Sequence, residues 1–599
     1  MKIRFYLFFS LLMFLSSAAA EECLQAEESL QTKLDVERIF EIGECLFNSG
    51  EFEGAEEWLI RGAENDSIDA QNLLGFLYHK GRGNVKKDFG KALQWYGKAS
   101  ENGSGYASNG IASMYDFGEG VVEDHDKKVF YLKRSAEQGF ALGQYNLASL
   151  YSYKKDHDNA FKWFEKAAQN DFTQAKLKAA SAYYYGWGVE DSFDESFFWY
   201  LAAAHDGNVD GQERVASMLK LGIGVPINLS ESAYWFTKSA NQGNEYAMEA
   251  LADLYLTGQV FERDEGKATE WLKKAGWSGP TIKLKLITSK KQSHKEPAHL
   301  KVTEMASNGD MMAQYELAVL FDEGRDIPED DFQAMEWFRK AAMQGHKSAQ
   351  FNLDFLEFMW GVREPEESAT IEAVTWFKEQ AEQGDIRTTY QVGRSYDRGF
   401  GVVKDYSEAA KWYQISADKG HLTALNNLGL LYERGQGVEA DLQKAFNLIR
   451  KSAKGGYKIA QKNLAYYYEY GEGIKKNDNK AFKWHFSAAL QRDAISQDKL
   501  GYFYDNGVGV KRDTVEAFRW MEKAAYQGES NAMVNLAFMF KNGRGVQKSY
   551  ANCYLWATVS LRYELNEHAD KNRKFCKESL SPDEIIKLDT KVESLYNSL

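Results

Sequence analysis

Apolar residues along this chain follow a helical period that restarts at fixed intervals. Ala424, Leu428, Leu431 and Tyr432 fall on one helical face, and a second helix of about four turns is expected between Asp441 and Gly456. The second helix carries a marker residue, most often tryptophan: Trp58, Trp95, Tyr131, Trp163, Trp199, Trp235, Trp271, Trp337, Trp376, Trp412, Leu448, Trp484, Trp520 and Trp556. Nine of the thirteen intervals between markers are 36 residues, so a tandem array of two-helix units organises the chain.

Each unit carries its own stops and starts. Seven residues before the marker stands a side chain suited to capping a helix N-terminus: Asp88, Asp124, Asp156, Ser192, Asn228, Asp264, Asp330, Asp405, Asp441, Asn477, Asp513 and Ser549. Eight residues after it stands glycine in most units, as at Gly103, Gly139, Gly207, Gly243, Gly345, Gly420 and Gly456, where a left-handed residue ends the helix. The first helix ends in a G-x-G-V turn, for example Gly435-Gln436-Gly437-Val438 and Gly543-Arg544-Gly545-Val546. The irregular intervals fall in turns: the short one lacks the glycine turn before Asp156, and the longer one adds a loop around Pro365. Aromatic residues recur near the end of the first helix, from Tyr78 and Tyr115 to Tyr504 and Phe540, and their regularity points to packing between units rather than to a ligand ladder.

Composition and charge narrow the picture. Only 6 of 599 residues are proline, which fits a helical array and not a chain of turn-rich β-domains. Acidic residues outnumber basic ones by 87 to 73, for a net charge of −14, which argues against a general nucleic-acid binder. At the N-terminus, Lys2 and Arg4 precede an apolar run from Phe5 to Leu15 and then Ala18, Ala19 and Ala20. This reads as a signal peptide over residues 1–20, and no apolar run is long enough for an integral membrane segment. The four cysteines form two pairs, Cys23 with Cys45 and Cys553 with Cys576, each flanking the turn of an expected helical hairpin. In an oxidising compartment each pair would close a disulfide, with buried free thiols as the alternative. The resulting organisation is a capping helix over 21–36, repeats over 37–279, a degenerate repeat or hinge over 280–309 rich in lysine, repeats over 310–562, and C-terminal capping helices over 563–599.

The unit from Ala424 to Gly456, with Leu428, Gly429, Tyr432, Gly435, Gly437, Val438, Asp441, Lys444 and Ala445, resembles the Sel-1-like repeat, a relative of the tetratricopeptide repeat. With its export signal the chain is similar to exported bacterial members. The resemblance implies an all-α fold: a right-handed α-solenoid superhelix of about fourteen units, each burying its apolar face on its neighbours. It implies binding of protein partners of the cell envelope, or of host or effector proteins, as an exported scaffold or adaptor in the periplasm or outside the cell. An immunity protein that neutralises an effector, or a host-directed factor, is the alternative.

Some cysteine-rich relatives have been described as β-lactamases, which makes a β-lactam hydrolase a third and weaker reading. S-x-x-K occurs at Ser152–Lys155 and at Ser496–Lys499, without S-D-N or K-T-G. Phosphate-loop, H-E-x-x-H and G-x-S-x-G signatures are also missing, so no catalytic, cofactor or metal residue is expected. Binding should instead use first-helix positions that vary between units. Helical phase nominates Asn72, Asn109, Asn146, Arg394, Asn427 and Asn463.

Overall fold

A computed structural model describes residues 36–278, 282, 298–323, 330–364 and 366–599. The expected signal peptide, Cys23, the 21–36 cap apart from Val36, and the lysine-rich stretch Lys283 to Lys295 lie outside the described residues. Among the described residues there are 31 helices, with no strand beyond an isolated bridge between Arg82 and Val85. They fall into two compact units, one ending at Met218 and the other starting at Leu219. The division lies within the helix Val209–Leu221.

The capping residues read from the sequence act as caps throughout. All twelve accept a hydrogen bond from the backbone at the start of the second helix, as Asp441 does from Lys444 N–H at 2.8 Å. The same residue closes the turn through its own backbone: Asp441 N–H donates to the Tyr432 carbonyl at 2.9 Å, and Asp88, Asp405 and Asp513 do likewise to Tyr78, Tyr396 and Tyr504. The recurrent first-helix aromatic is therefore where the hairpin closes. Its ring is half-buried or buried and is covered from the second helix, with Lys444 Nζ 4.1 Å above the Tyr432 ring.

The position eight residues after the marker is left-handed even where glycine is absent. Asp66, Asp171 and Arg492 occupy it with φ of 62°, 64° and 63°. The surrounding hairpin imposes the conformation, at a cost of about 1 kcal/mol for a residue with a Cβ. The second glycine of the turn is required for a different reason. A Cβ built on Gly545 would sit 1.9 Å from the Thr514 carbonyl oxygen, and one on Gly437 2.2 Å from the Tyr406 carbonyl carbon. Each turn thus rests directly on the start of the preceding unit's second helix.

Between units the backbones approach closely over small residues; Ala409, Ala445, Ala481 and Ala517 are fully buried. Such proximity buries polar backbone atoms, and a glutamine at the fourth residue of the first helix engages them. In the first unit Gln71, Gln144 and Gln212 donate to the carbonyls of Ala63, Ala136 and Ala204 at 3.1, 3.1 and 3.3 Å. In the second unit Gln314, Gln461 and Gln497 donate to those of Ala306, Ala453 and Ala489 at 3.1, 3.3 and 3.0 Å. The glutamine Oε1 accepts from an amide at the end of its own unit's second helix, as Gln461 does from Gln491 at 2.7 Å and Gln144 from Asn170 at 2.8 Å. One buried side chain thereby joins three helices. Among the described residues, one repeat replaces the amide pair with a charged one: Lys176 stands at the glutamine position and Asp206 at the amide position, 2.6 Å apart and both nearly inaccessible, and Lys176 also pairs with the more exposed Asp171.

Cys553 and Cys576 form a disulfide, Cα–Cα 6.2 Å, between the helices Tyr550–Tyr563 and Glu567–Lys577. Closing a loop of 23 residues contributes about 3 kcal/mol in the chain-entropy model. The last helix, Pro582–Ser598, starts on a capping box of Ser581 and Glu584 and returns to the final repeat, where the Tyr554 hydroxyl donates to Asp589 at 2.8 Å. Cys45 is also disulfide-bonded.

The Lys176–Asp206 pair gives a direct test. Asp206→Asn alone leaves the buried ammonium with only Asp171, which is largely exposed, as a counter-charge and should destabilise the protein by about 1–3 kcal/mol. Adding Lys176→Gln recreates the amide pair of the other units and should recover most of that loss. Urea unfolding midpoints of the two variants check it.

Candidate interaction surface

The six first-helix residues nominated by helical phase are all half-buried, and the structure uses them to link successive first helices. In the first unit the Asn146 amide donates to Asn109 Oδ1 at 2.9 Å, and Asn72 Oδ1 accepts from the Ser104 hydroxyl at 2.7 Å. In the second unit Asn463 donates to Asn426 Oδ1 at 3.0 Å, Asn426 lies 3.3 Å from Asn427 Oδ1, and Asn427 lies 3.4 Å from the Tyr390 hydroxyl. Arg394 joins the same row, its guanidinium 4.3 Å above the Phe355 ring and 5.5 Å from the Tyr390 ring. A further rung pairs Asn535 with Asp498 at 2.9 Å. The sixth residue of one first helix therefore meets the fifth residue of the preceding one. The sequence signal is a polar pair 37 residues apart, one more than the period, which a search at the period itself overlooks.

Charge is concentrated near Arg394. Arg394 lies 3.5 Å from Asp322, and Arg387 donates to Glu323 at 2.8 Å. Burial raises the Asp322 carboxyl against the pull of Arg394. Burial likewise raises Asp331, which accepts from the Trp360 indole at 2.9 Å. Further along the row, burial pushes the Asp498 carboxyl up to about 6. The face is a row of amide, phenol and carboxyl groups on a regular helical backbone, with the rungs made and their outer edges partly open. Such a face can meet the polar edges of a protein partner at many shallow points.

Of the two S-x-x-K segments, the one at Ser496 is closed to substrate. Ser496 is fully buried, its Oγ 3.2 Å from His485 Nδ1, while His485 Nε2 lies 3.5 Å from Glu469 and Lys499 pairs with Glu469 at 2.8 Å. The order serine, histidine, carboxylate is present, but no substrate can reach the serine without opening the repeat. Burial holds His485 below its ordinary range. Burial would raise Glu469, yet the hydrogen bonds from His485 and Lys499 hold it down to about 2. Ser152 is exposed at the end of the helix Ala141–Tyr153. Among the described residues, no three potential metal ligands gather, and no helix is long and apolar enough to cross a membrane.

A polar cluster within the second unit has no counterpart in the periodic pattern. Arg519 donates to both carboxylate oxygens of Glu231 at 2.8 and 2.9 Å, pairs with Glu516 at 2.7 Å and covers the Tyr234 ring at 3.9 Å. Lys523 also pairs with Glu231, and Asn228 donates to the Leu490 carbonyl at 3.0 Å. The Arg519 and Lys523 pairs join the helices Leu229–Asn241 and Thr514–Ala525, which lie 288 residues apart at Glu231 and Arg519, and the Asn228 bond joins the start of the former to the end of the helix Asp478–Leu490. Only the folded chain brings them together.

A family model, the Sel1 repeat, matches residues 68–104, 105–140, 141–172, 173–208, 209–244, 245–276, 312–346, 388–421, 422–457, 458–493, 494–529 and 530–558. The chain belongs to the Sel1 repeat family. The units marked by Trp58 and Trp376 fall outside the twelve matches. Among solved structures, a protective antigen present in uropathogenic Escherichia coli strains, displaying an SLR fold, is 24% identical over 91% of this chain and 94% of that one, with a TM-score of 0.34. A Sel1 repeat protein from Oxalobacter formigenes is 29% identical over 33% of this chain and 80% of its own, with a TM-score of 0.32. An immunity protein from Pseudomonas aeruginosa is 17% identical over 37% and 81%, with a TM-score of 0.22.

The raised Asp498 carboxyl sets a pH dependence. A carboxyl raised in the folded state favours folding below its unfolded pKa, near 3.8, and that contribution is lost as pH rises through about 6. Asp498→Asn keeps an acceptor for Asn535 and removes the charge. The variant should match the parent at pH 4 and exceed it by about 2–3 kcal/mol at pH 8. Denaturation midpoints across that range check the difference.

Proposed function

We propose that the chain is an exported scaffold that binds protein partners along the first-helix face of its repeats. The carrying observation is the polar row itself: its register repeats from one first helix to the next while the fifth-residue partner changes, from Asn109 to Tyr390, Asn426 and Asp498. A regular backbone with varied side chains suits recognition by many contacts of modest strength. Membership of the Sel1 repeat family supports an interaction role, and the fold is typical of non-catalytic scaffolds. The charged, apolar and alanine segments at residues 1–20 support export, and the disulfide fits an oxidising compartment such as the periplasm or the cell exterior. The net charge of −14 and the scattered basic residues support a protein partner over nucleic acid.

Photo-crosslinking in the native host tests this reading. A crosslinking amino acid placed at Ser113 or Tyr466, one turn from Asn109 and Asn463, should give discrete protein adducts. The same probe at Lys133 or Lys451, exposed on second helices, should not. Adducts from the second-helix sites alone would overturn the assignment of the face.

A further inference from the structure

Three successive repeats of the first unit expose aromatic rings along the edge where their first helices end. Phe117, Tyr153 and Tyr185 are the last residues of the helices Gly105–Phe117, Ala141–Tyr153 and Thr173–Tyr185. They are 70%, 87% and 56% exposed, and Trp187, two residues further on, is 50% exposed. The Tyr185 and Trp187 rings stack with centroids 4.7 Å apart. Tyr184 extends the group inward, 4.9 Å from Tyr185 and 5.1 Å from Phe193, itself partly exposed. The array does not require rings at this register. Lys80, Arg398, Arg434, Asn506 and Asn542 end the first helix in other units. Rings left in water in adjacent units at one register are characteristic of an interaction surface.

Two of the three turns beside these rings are acidic. Glu123 and Asp126 follow the first turn, and Glu190, Asp191 and Asp194 follow the third, all exposed. The basic side chains nearby are only partly available, since Lys128 is paired with Asp116 at 2.6 Å and Lys127 lies 5.0 Å above the Tyr115 ring. Lys154 and Lys155 occupy the middle turn. Flat π faces and carboxylates interleaved in this way complement ammonium or guanidinium groups interleaved with apolar side chains. An anionic lipid surface would be repelled by the same carboxylates.

We propose that this edge docks a cationic amphipathic segment of a partner protein, with the rings of Tyr153, Tyr185 and Trp187 holding its apolar and cationic side chains and the carboxylates of Glu190, Asp191 and Asp194 pairing with its charges. The helix-end rings lie about two turns beyond the polar row on the same first helices, as Tyr153 does from Asn146, and the docking uses none of that row's residues.

The full exported chain can be tested with a fluorescent 18-residue peptide of lysine and leucine patterned as an amphipathic helix. Fluorescence anisotropy should give saturable binding that a composition-matched peptide without amphipathic order lacks. The triple variant Tyr153→Ser, Tyr185→Ser, Trp187→Ser keeps every charge and should weaken binding about tenfold. Tyr470→Ser, at the same register in the second unit, should leave it unchanged. Glu190→Gln with Asp191→Asn should weaken binding several-fold and flatten its salt dependence. Unfolding midpoints matching the parent establish that the variants fold, and Tyr153→Ser alone provides a milder variant if the triple one does not. Equal affinity of the parent and the folded aromatic variant would overturn the proposal. So would binding to phosphatidylglycerol vesicles that exceeds binding to the peptide.

Discussion

Successive hairpins in this chain approach one another backbone to backbone, and that closeness governs the rest of the structure. It demands alanine where second helices meet their neighbours, and glycine where each turn rests on the preceding unit, as Gly545 rests on Thr514. It also buries carbonyl groups that must be paired, because an unpaired buried acceptor costs about 1–3 kcal/mol. The glutamine row answers this need, one side chain serving the preceding unit and its own. Where Lys176 and Asp206 replace the amides, the same geometry is held by charge. The small residues set the spacing of the array, and the glutamines set its register.

Much of this was legible in the chain and some was not, for reasons that differ by residue. Caps and turn glycines were legible because each is a local requirement satisfied by few residue types. Asp66, Asp171 and Arg492 were not, because there the surrounding hairpin imposes the left-handed conformation on residues other than the glycine that marks it elsewhere. The glutamine row is not legible in the sequence because its partners lie eight residues back and about 30 ahead, and neither offset is the period. Helical phase alone points to Asn109, Asn146, Asn427 and Asn463, which the structure places half-buried along successive first helices. It did not reveal that they bond to residues of adjacent helices, since that requires the one-residue stagger between units. The Glu231 and Arg519 cluster follows from the path of the folded second unit and has no periodic trace.

Function separates along the same lines. Positions fixed by packing, such as the closing tyrosines and the buried glutamines, are occupied by the array itself. Those free to vary are the outer edges of the polar row and the ends of the first helices. The arrangement around Ser496 shows why residue type is insufficient on its own. Serine, histidine and glutamate meet there in a suggestive order, yet inside a repeat where their work is to satisfy one another.

The central claim is that stability in the first unit passes from hairpin to hairpin through one repeated interface. The most direct measurement is the cooperative unfolding, followed by circular dichroism, of two deletions in the full chain. Removing residues 96–131 joins Trp95 to Leu132 and excises one whole 36-residue interval between markers, so every interface on either side can reform. Removing 96–113, half that length, puts the following helices out of phase. The account predicts that the whole-period deletion keeps a cooperative transition and native helicity per residue, and that the half-period deletion loses both. Equal behaviour of the two deletions would contradict it.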